Sequence, residues 1–209
     1  MTAWNYAAYR ENLKLLNEIW KFAKEKLTTE ELINKILLGT DYKGRTFWHW
    51  AAEKGNLKLL HKIWQRAQEK LTTDEINNKL LLGTDSEGRT AWQLAAKECK
   101  LEIVQKVWEW AEEKLTKEEM NNELLLSTDN KKKTDWHLAA EKGNFKVINK
   151  MWDWAKEKLT TEEIKNKLLL GTDSVGMTAW HLTTKMYNLE ILQKVRVWAK
   201  LTTEEINFY

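Results

Sequence analysis

The stretch Thr46–Leu57, TFWHWAAEKGNL, opens on a helix-capping residue, carries apolar side chains at helical spacing, and stops at Gly55-Asn56. Its opening returns as TAWNY at Thr2, TAWQL at Thr90, TDWHL at Thr134 and TAWHL at Thr178, always 44 residues on. A fixed period has to be settled before any other fold argument. It divides the chain into units of about 1–45, 46–89, 90–133 and 134–177, with a partial unit 178–209. We read these as one repeat domain spanning 1–209.

Within the unit 46–89, Thr46 is a good N-cap, and Trp48, Ala51 and Ala52 follow on one helical face. Gly55 and Asn56 stop that helix. A second helix is predicted from Leu57 to about Lys70, with Leu60, Ile63, Trp64 and Ala67 as its stripe and Lys58, Lys62 and Gln65 facing away. Thr72 and Glu75 then form a reciprocal cap, in which the hydroxyl accepts from one amide and the carboxylate reaches back to the other. The pair recurs as Thr28 with Glu31, Thr116 with Glu119, Thr160 with Glu163 and Thr202 with Glu205. A third, shorter helix therefore begins at each, and Gly83 ends it before the turn TDSEG. Three such helices cannot bury their own apolar faces, so layers must stack. The expectation is an all-α solenoid of about five layers, the last unfinished.

Composition narrows the function classes. The 209 residues hold 13 Trp, 8 Gly, no Pro and one Cys, with 34 basic against 31 acidic side chains. A balance so near neutral does not imply a polyanion partner, and the run Lys131-Lys132-Lys133 is too short to argue for nucleic acid. No aliphatic run approaches the roughly 20 residues that span a bilayer, and no signal core opens the chain. We expect no membrane association and an intracellular, cytoplasmic location. Cys99 has no partner for a bridge or for nucleophilic catalysis.

The run Gly44 to Leu57, together with VGMTAWHLTT and KKKTDWHLAAEKGNF, resembles the ankyrin repeat, whose hallmark is Gly-x-Thr-Pro-Leu-His-x-Ala-Ala followed by Gly and a second helix. The chain departs from it in four ways. The proline is Ala3, Phe47, Ala91, Asp135 or Ala179; the leucine is always Trp; and the longer unit matches the inserted third helix. The terminating glycine is Glu11, Cys99 or Tyr187 in three units, where a left-handed backbone is less comfortable. The resemblance implies a concave binding surface lined by turns and first helices, and a histidine that ties the Thr turn to the next loop.

His49, His137 and His181 admit two readings. Metal ligands must converge within about 2.1 Å of one ion, while layers about 8 to 10 Å apart keep equivalent side chains separated. Asn5 and Gln93 share the column, and they share hydrogen bonding with imidazole but not its acid-base chemistry. Scaffolding is the favoured reading, for these three with Thr46, Trp48, Trp92, Trp136 and Trp180. The columns Trp4 to Trp180 and Trp20, Trp64, Trp108, Trp152 are assigned to the core. A further column of Phe22, Arg66, Trp110, Trp154 and Trp198 either roofs the inserted helix, the favoured reading, or stays open to a partner. No metal, cofactor or catalytic residue is assigned, and no enzyme activity is expected.

The copies differ most in their turns. Tyr42, Lys43, Arg45, Phe47, Trp50, Arg89, Lys131, Lys133 and Asp135 are the candidate partner-binding residues. Trp50 is expected to be the most exposed aromatic, and Arg45, Arg89 and Lys133 to form a basic stripe that steers an acidic protein. On that reading Arg89→Ala leaves stability within about 0.5 kcal/mol. The expected function is a non-catalytic protein-binding scaffold, with a structural or self-associating module as the alternative.

Overall fold

The computed structural model describes residues 13–185, 193–194 and 197–198. The first copy of the Thr motif, Tyr187 and the Thr202 cap lie outside them. The described residues form helices and no strand; their β content is two isolated bridges, Thr84 with Thr90 and Thr172 with Thr178. The chain groups into two compact units, residues 1–95 with 102–115, and 96–101 with 116–209.

The first unit contains α1 (Leu13–Lys26), α2 (Thr29–Leu32), α3 (Phe47–Lys54), α4 (Leu57–Lys70) and α5 (Thr73–Glu75). It also takes most of α6 (Ala91–Lys97) and of α7 (Leu101–Lys114). The second unit contains α8 (Lys117–Glu119), α9 (Asp135–Glu141), α10 (Phe145–Lys158), α11 (Thr161–Glu163) and α12 (Ala179–Lys185). The order helix, helix, capped helix recurs in both.

Caps place these elements. Asn56 and Asn144 accept from the amides of Leu59 and Val147 and so start α4 and α10. All four described Thr–Glu boxes close: Thr72 Oγ1 accepts from the Glu75 amide at 3.2 Å, and the Thr72 amide donates to Glu75 Oε2 at 3.1 Å. Each satisfies two amides that a helix start otherwise leaves without a partner.

After one α-helical turn the inserted helix widens into a π segment, at Ile33–Leu37, Ile76–Leu81, Met120–Leu125 and Ile164–Leu169. Its last amide reaches back five residues, as from Leu82 to Asn77 at 2.9 Å and from Leu126 to Asn121 at 3.0 Å. Widening brings residues four and five apart onto one side. Ile76, Leu80 and Leu81 are buried together, as are Met120, Leu124 and Leu125. Periodicity alone predicted an ordinary helix there.

Stacked tryptophans fill the core. In the first unit Trp48 lies 5.9 Å from Trp64 and 5.7 Å from Trp110, and Trp64 stacks on Trp110 at 4.6 Å with planes 11° apart. In the second unit Trp152 stacks on Trp198 at 4.5 Å and 13°, with Trp136 edge-on to both. The column of Trp110, Trp154 and Trp198 is buried. Trp110 and Trp198 each pack on the second-helix tryptophan one repeat earlier, so the column is closed to a partner. Arg66, which takes the aromatic's place in that column, lays its guanidinium 4.3 Å over Trp20. The large rings have a cost: the indole N–H groups of Trp48, Trp136 and Trp180 are buried without an acceptor, on the order of 1–3 kcal/mol each.

Candidate partner-binding surface

Each turn that enters a first helix is folded around a buried aspartate. Asp41 Oδ1 accepts from the amides of Lys43 at 2.8 Å and Arg45 at 3.0 Å. Asp85 does the same for Glu87 and Arg89, Asp129 for Lys131 and Lys133, and Asp173 for Val175 and Met177. A carboxylate that binds the amides two and four residues on fixes the bend without help from the tip side chains. Neighbouring bends are joined through the main chain: the Ser86 amide donates to the Lys43 carbonyl at 2.8 Å, and in the second unit the Ser174 amide donates to the Lys131 carbonyl at 2.9 Å. The tips are thus held at fixed spacing within each unit.

Tip side chains point outward. Tyr42 is 80% exposed and Val175 76%. Asn130, Lys131 and Lys132 are exposed, and Lys43 is half-exposed with its ammonium 5.6 Å over the Tyr42 ring.

The other candidates lie below this surface. Arg45 and Arg89 are buried. Arg45 pairs with Glu53 at 2.9 Å and with Asp85 at 3.2 Å; Arg89 pairs with Asp85 at 2.9 Å and Glu87 at 2.6 Å. Lys133, half-buried, reaches Glu141 at 3.0 Å. The open basic stripe is therefore not formed: these charges are neutralised where bend meets helix. Burial alone raises the Asp85 carboxyl, but Arg89 and the loop amides outweigh it and hold the group below the usual carboxylate range. Phe47 and Asp135 occupy the first helical position and are buried there, not displayed. Trp50 is half-buried, its Nε1 donating to Asp41 Oδ2 at 2.9 Å and its ring 5.2 Å beneath the Arg45 guanidinium. It braces the bend, and among the described residues Tyr42 and Phe22 are the exposed aromatics instead.

The histidines sit behind the bends. His49 Nδ1 lies 2.8 Å from Thr46 Oγ1 and accepts from the Thr46 amide at 3.3 Å, while Nε2 lies 3.1 Å from the Gly83 carbonyl. Acceptance at Nδ1 leaves the proton on Nε2, which donates to Gly83. His137 repeats the arrangement between Thr134 and the Met177 carbonyl, at 3.2 Å from Nε2. His181 makes the Thr178 contacts at 3.1 and 2.8 Å. Gln93 accepts from the Thr90 amide through Oε1 at 3.1 Å. Burial is the main cause that drives His49 down to about 4, against the pull of Asp85, and it lowers His137 as well. Among the described residues no cluster of three or more His, Cys, Asp or Glu side chains is placed to hold a metal ion. Among them, too, no helix is long and apolar enough to cross a membrane.

No protein-family model matches the chain, and no curated protein does.

Sequence reasoning missed the four aspartates, and it counted Val175 among the variable turn residues without choosing it as a candidate. Both left a signal. Asp41, Asp85, Asp129 and Asp173 recur at the repeat period in an otherwise variable turn. Val175 is an aliphatic side chain in a column that otherwise holds Lys43, Glu87 and Lys131. Glu53 and Glu141, each eight residues after Arg45 and Lys133, were the sign that those charges are answered internally.

Proposed function

We propose that this protein is a non-catalytic scaffold of ankyrin-like layers, stacked as a solenoid, that binds another protein through the tips of its bends. The observation that carries the reading is the division of labour within each bend. Buried groups that recur set its shape, and outward-facing pairs that differ from copy to copy occupy its tip: Tyr42 with Lys43, Ser86 with Glu87, Asn130 with Lys131, and Ser174 with Val175. Conformational entropy lost on binding is small when the frame is already ordered. Exposed Tyr42 and Val175 supply apolar anchors, and Tyr is among the residues enriched at binding hot spots. With Arg45 and Arg89 answered within the chain, the preference for an acidic partner rests on Lys43, Lys131 and Lys132 alone.

The test is affinity capture from a cell extract, comparing the unaltered chain with a variant carrying Tyr42→Ser, Lys131→Ser and Val175→Ser. A protein retained by the first and released from the second supports the reading. The same proteins retained equally by both overturn it.

A further inference from the structure

We infer that the two bends of the second unit, 129–133 and 173–177, seat a short acidic segment of a partner protein that carries an aliphatic side chain beside its carboxylates. The inference rests on the bends' being the binding surface and says which of them is used, and for what chemistry. Lys131 and Lys132 stand exposed side by side, and among the described residues neither ammonium meets a carboxylate or a ring. The other bend cations are answered: Arg45 by Glu53 and Asp85, Arg89 by Asp85 and Glu87, Lys133 by Glu141, and Lys43 by the Tyr42 ring. The carboxylates that build these two bends are already engaged. Asp129 Oδ1 accepts from the amides of Lys131 and Lys133, and Asp173 Oδ1 from those of Val175 and Met177. Two adjacent like charges repel each other, and a carboxylate from outside offsets that repulsion. The second cation is also kept against a backbone penalty. Lys132 is left-handed, φ 57°, where its column otherwise holds Gly44, Gly88 and Gly176, and a side chain strained in this way points to a use.

The aliphatic part follows from the neighbouring bend. The Ser174 amide donates to the Lys131 carbonyl at 2.9 Å, so Val175 stands one residue from the bond that joins the two bends. It is 76% exposed, the most open large apolar side chain among the described residues of this unit. A chain laid across both bends therefore meets ammonium groups and then a branched apolar surface. Nucleic acid fits this surface less well. Single strands are held by rings on which their bases stack, and among the described residues of this unit no aromatic ring is exposed.

The test is selection of displayed random peptides on the full chain. Enriched sequences are expected to set a pair of Asp or Glu residues beside Leu, Ile or Val. The most enriched sequence is then made as a labelled peptide and its binding followed by fluorescence anisotropy. Lys131→Glu with Lys132→Glu is expected to weaken it roughly tenfold, and Val175→Ser several-fold, while Tyr42→Ser binds like the unaltered chain. Affinity is expected to fall as sodium chloride rises, because exposed charges are screened. If the double change disturbs the bend, seen by circular dichroism, Lys131→Ser with Lys132→Gly replaces it, since glycine accepts the left-handed backbone. A selection that enriches no acidic sequence overturns the inference, as does an oligothymidylate that binds the full chain more tightly than the peptide. A peptide released by Tyr42→Ser but held by the lysine variants overturns it and leaves the bends as the binding surface. A peptide that no bend variant releases overturns the inference together with the reading beneath it.

Discussion

Trp110 lies flat against Trp64, ring centroids 4.6 Å apart and planes within 11° of parallel. The two come from second helices one repeat apart, so the contact holds layers together and not one layer to itself. Replacing Trp110 with Ala is expected to cost about 3–5 kcal/mol, read from chemical denaturation. Arg66→Trp, which rebuilds the same stack on Trp20, is expected to add about 1 kcal/mol. A loss of stability in the second variant counts against the stacking rule.

Acid sensitivity follows from the buried imidazoles. His49 has an ordinary value of 6.5 and is driven to about 4 in the fold, so the unfolded chain takes up a proton that the folded chain refuses. Above pH 6.5 the group contributes no pH dependence. As pH falls from 6.5 towards 4, stability is lost progressively, reaching about 3 kcal/mol. His137 acts in the same direction. His49→Gln, which copies the side chain that Gln93 places in the same column, is expected to flatten the stability profile between pH 6.5 and 4.5, above the region where the carboxylates protonate. An unchanged slope in a urea titration series contradicts this.

Arg89 is the position at which the structure reverses the expectation from sequence. Its guanidinium is buried on Asp85, and removing one partner of a buried pair leaves the other's charge partly unanswered. Arg89→Ala is expected to cost about 3 kcal/mol, not the small change of a surface residue. Adding Asp85→Asn to it is expected to cost less than the two changes summed, and strict additivity in a double-mutant cycle rules out the coupling.

Two side chains hold left-handed backbone where sister repeats have glycine. Lys132 has φ 57° opposite Gly44, Gly88 and Gly176 in its column, and Cys99 has φ 61° opposite Gly55 and Gly143. Lys132→Gly and Cys99→Gly are each expected to raise stability by about 1 kcal/mol. Thermal unfolding of the single variants is the measurement; a lower midpoint in either refutes the strain argument.

The repeat, the three helices and their caps were legible because each rests on local rules: Thr28 with Glu31 or Thr72 with Glu75 needs only four residues to declare itself. The tryptophan columns were legible as core for the same reason, through their helical spacing. What Trp110 packs on was not, because that is decided by the stagger between layers, which no periodicity within one layer contains. The π segment after Ile76 was hidden too, since Ile76, Leu80 and Leu81 suit either helix and only packing selects the wider one. Arg45 and Arg89 were misplaced for a further reason. A charged residue beside a turn reads as solvated unless its counter-ion is traced, and Arg45's second partner, Asp85, stands 40 residues away.

The aspartate-centred bends separate the shape of the outer surface from its chemistry. Since Asp41, Asp85, Asp129 and Asp173 hold their bends through backbone amides, exposed residues such as Tyr42 and Val175 carry almost none of the folding energy. Their identities can be exchanged one at a time, by mutation in nature or in a library, with the chemistry of the outer surface altered and the melting temperature left where it was.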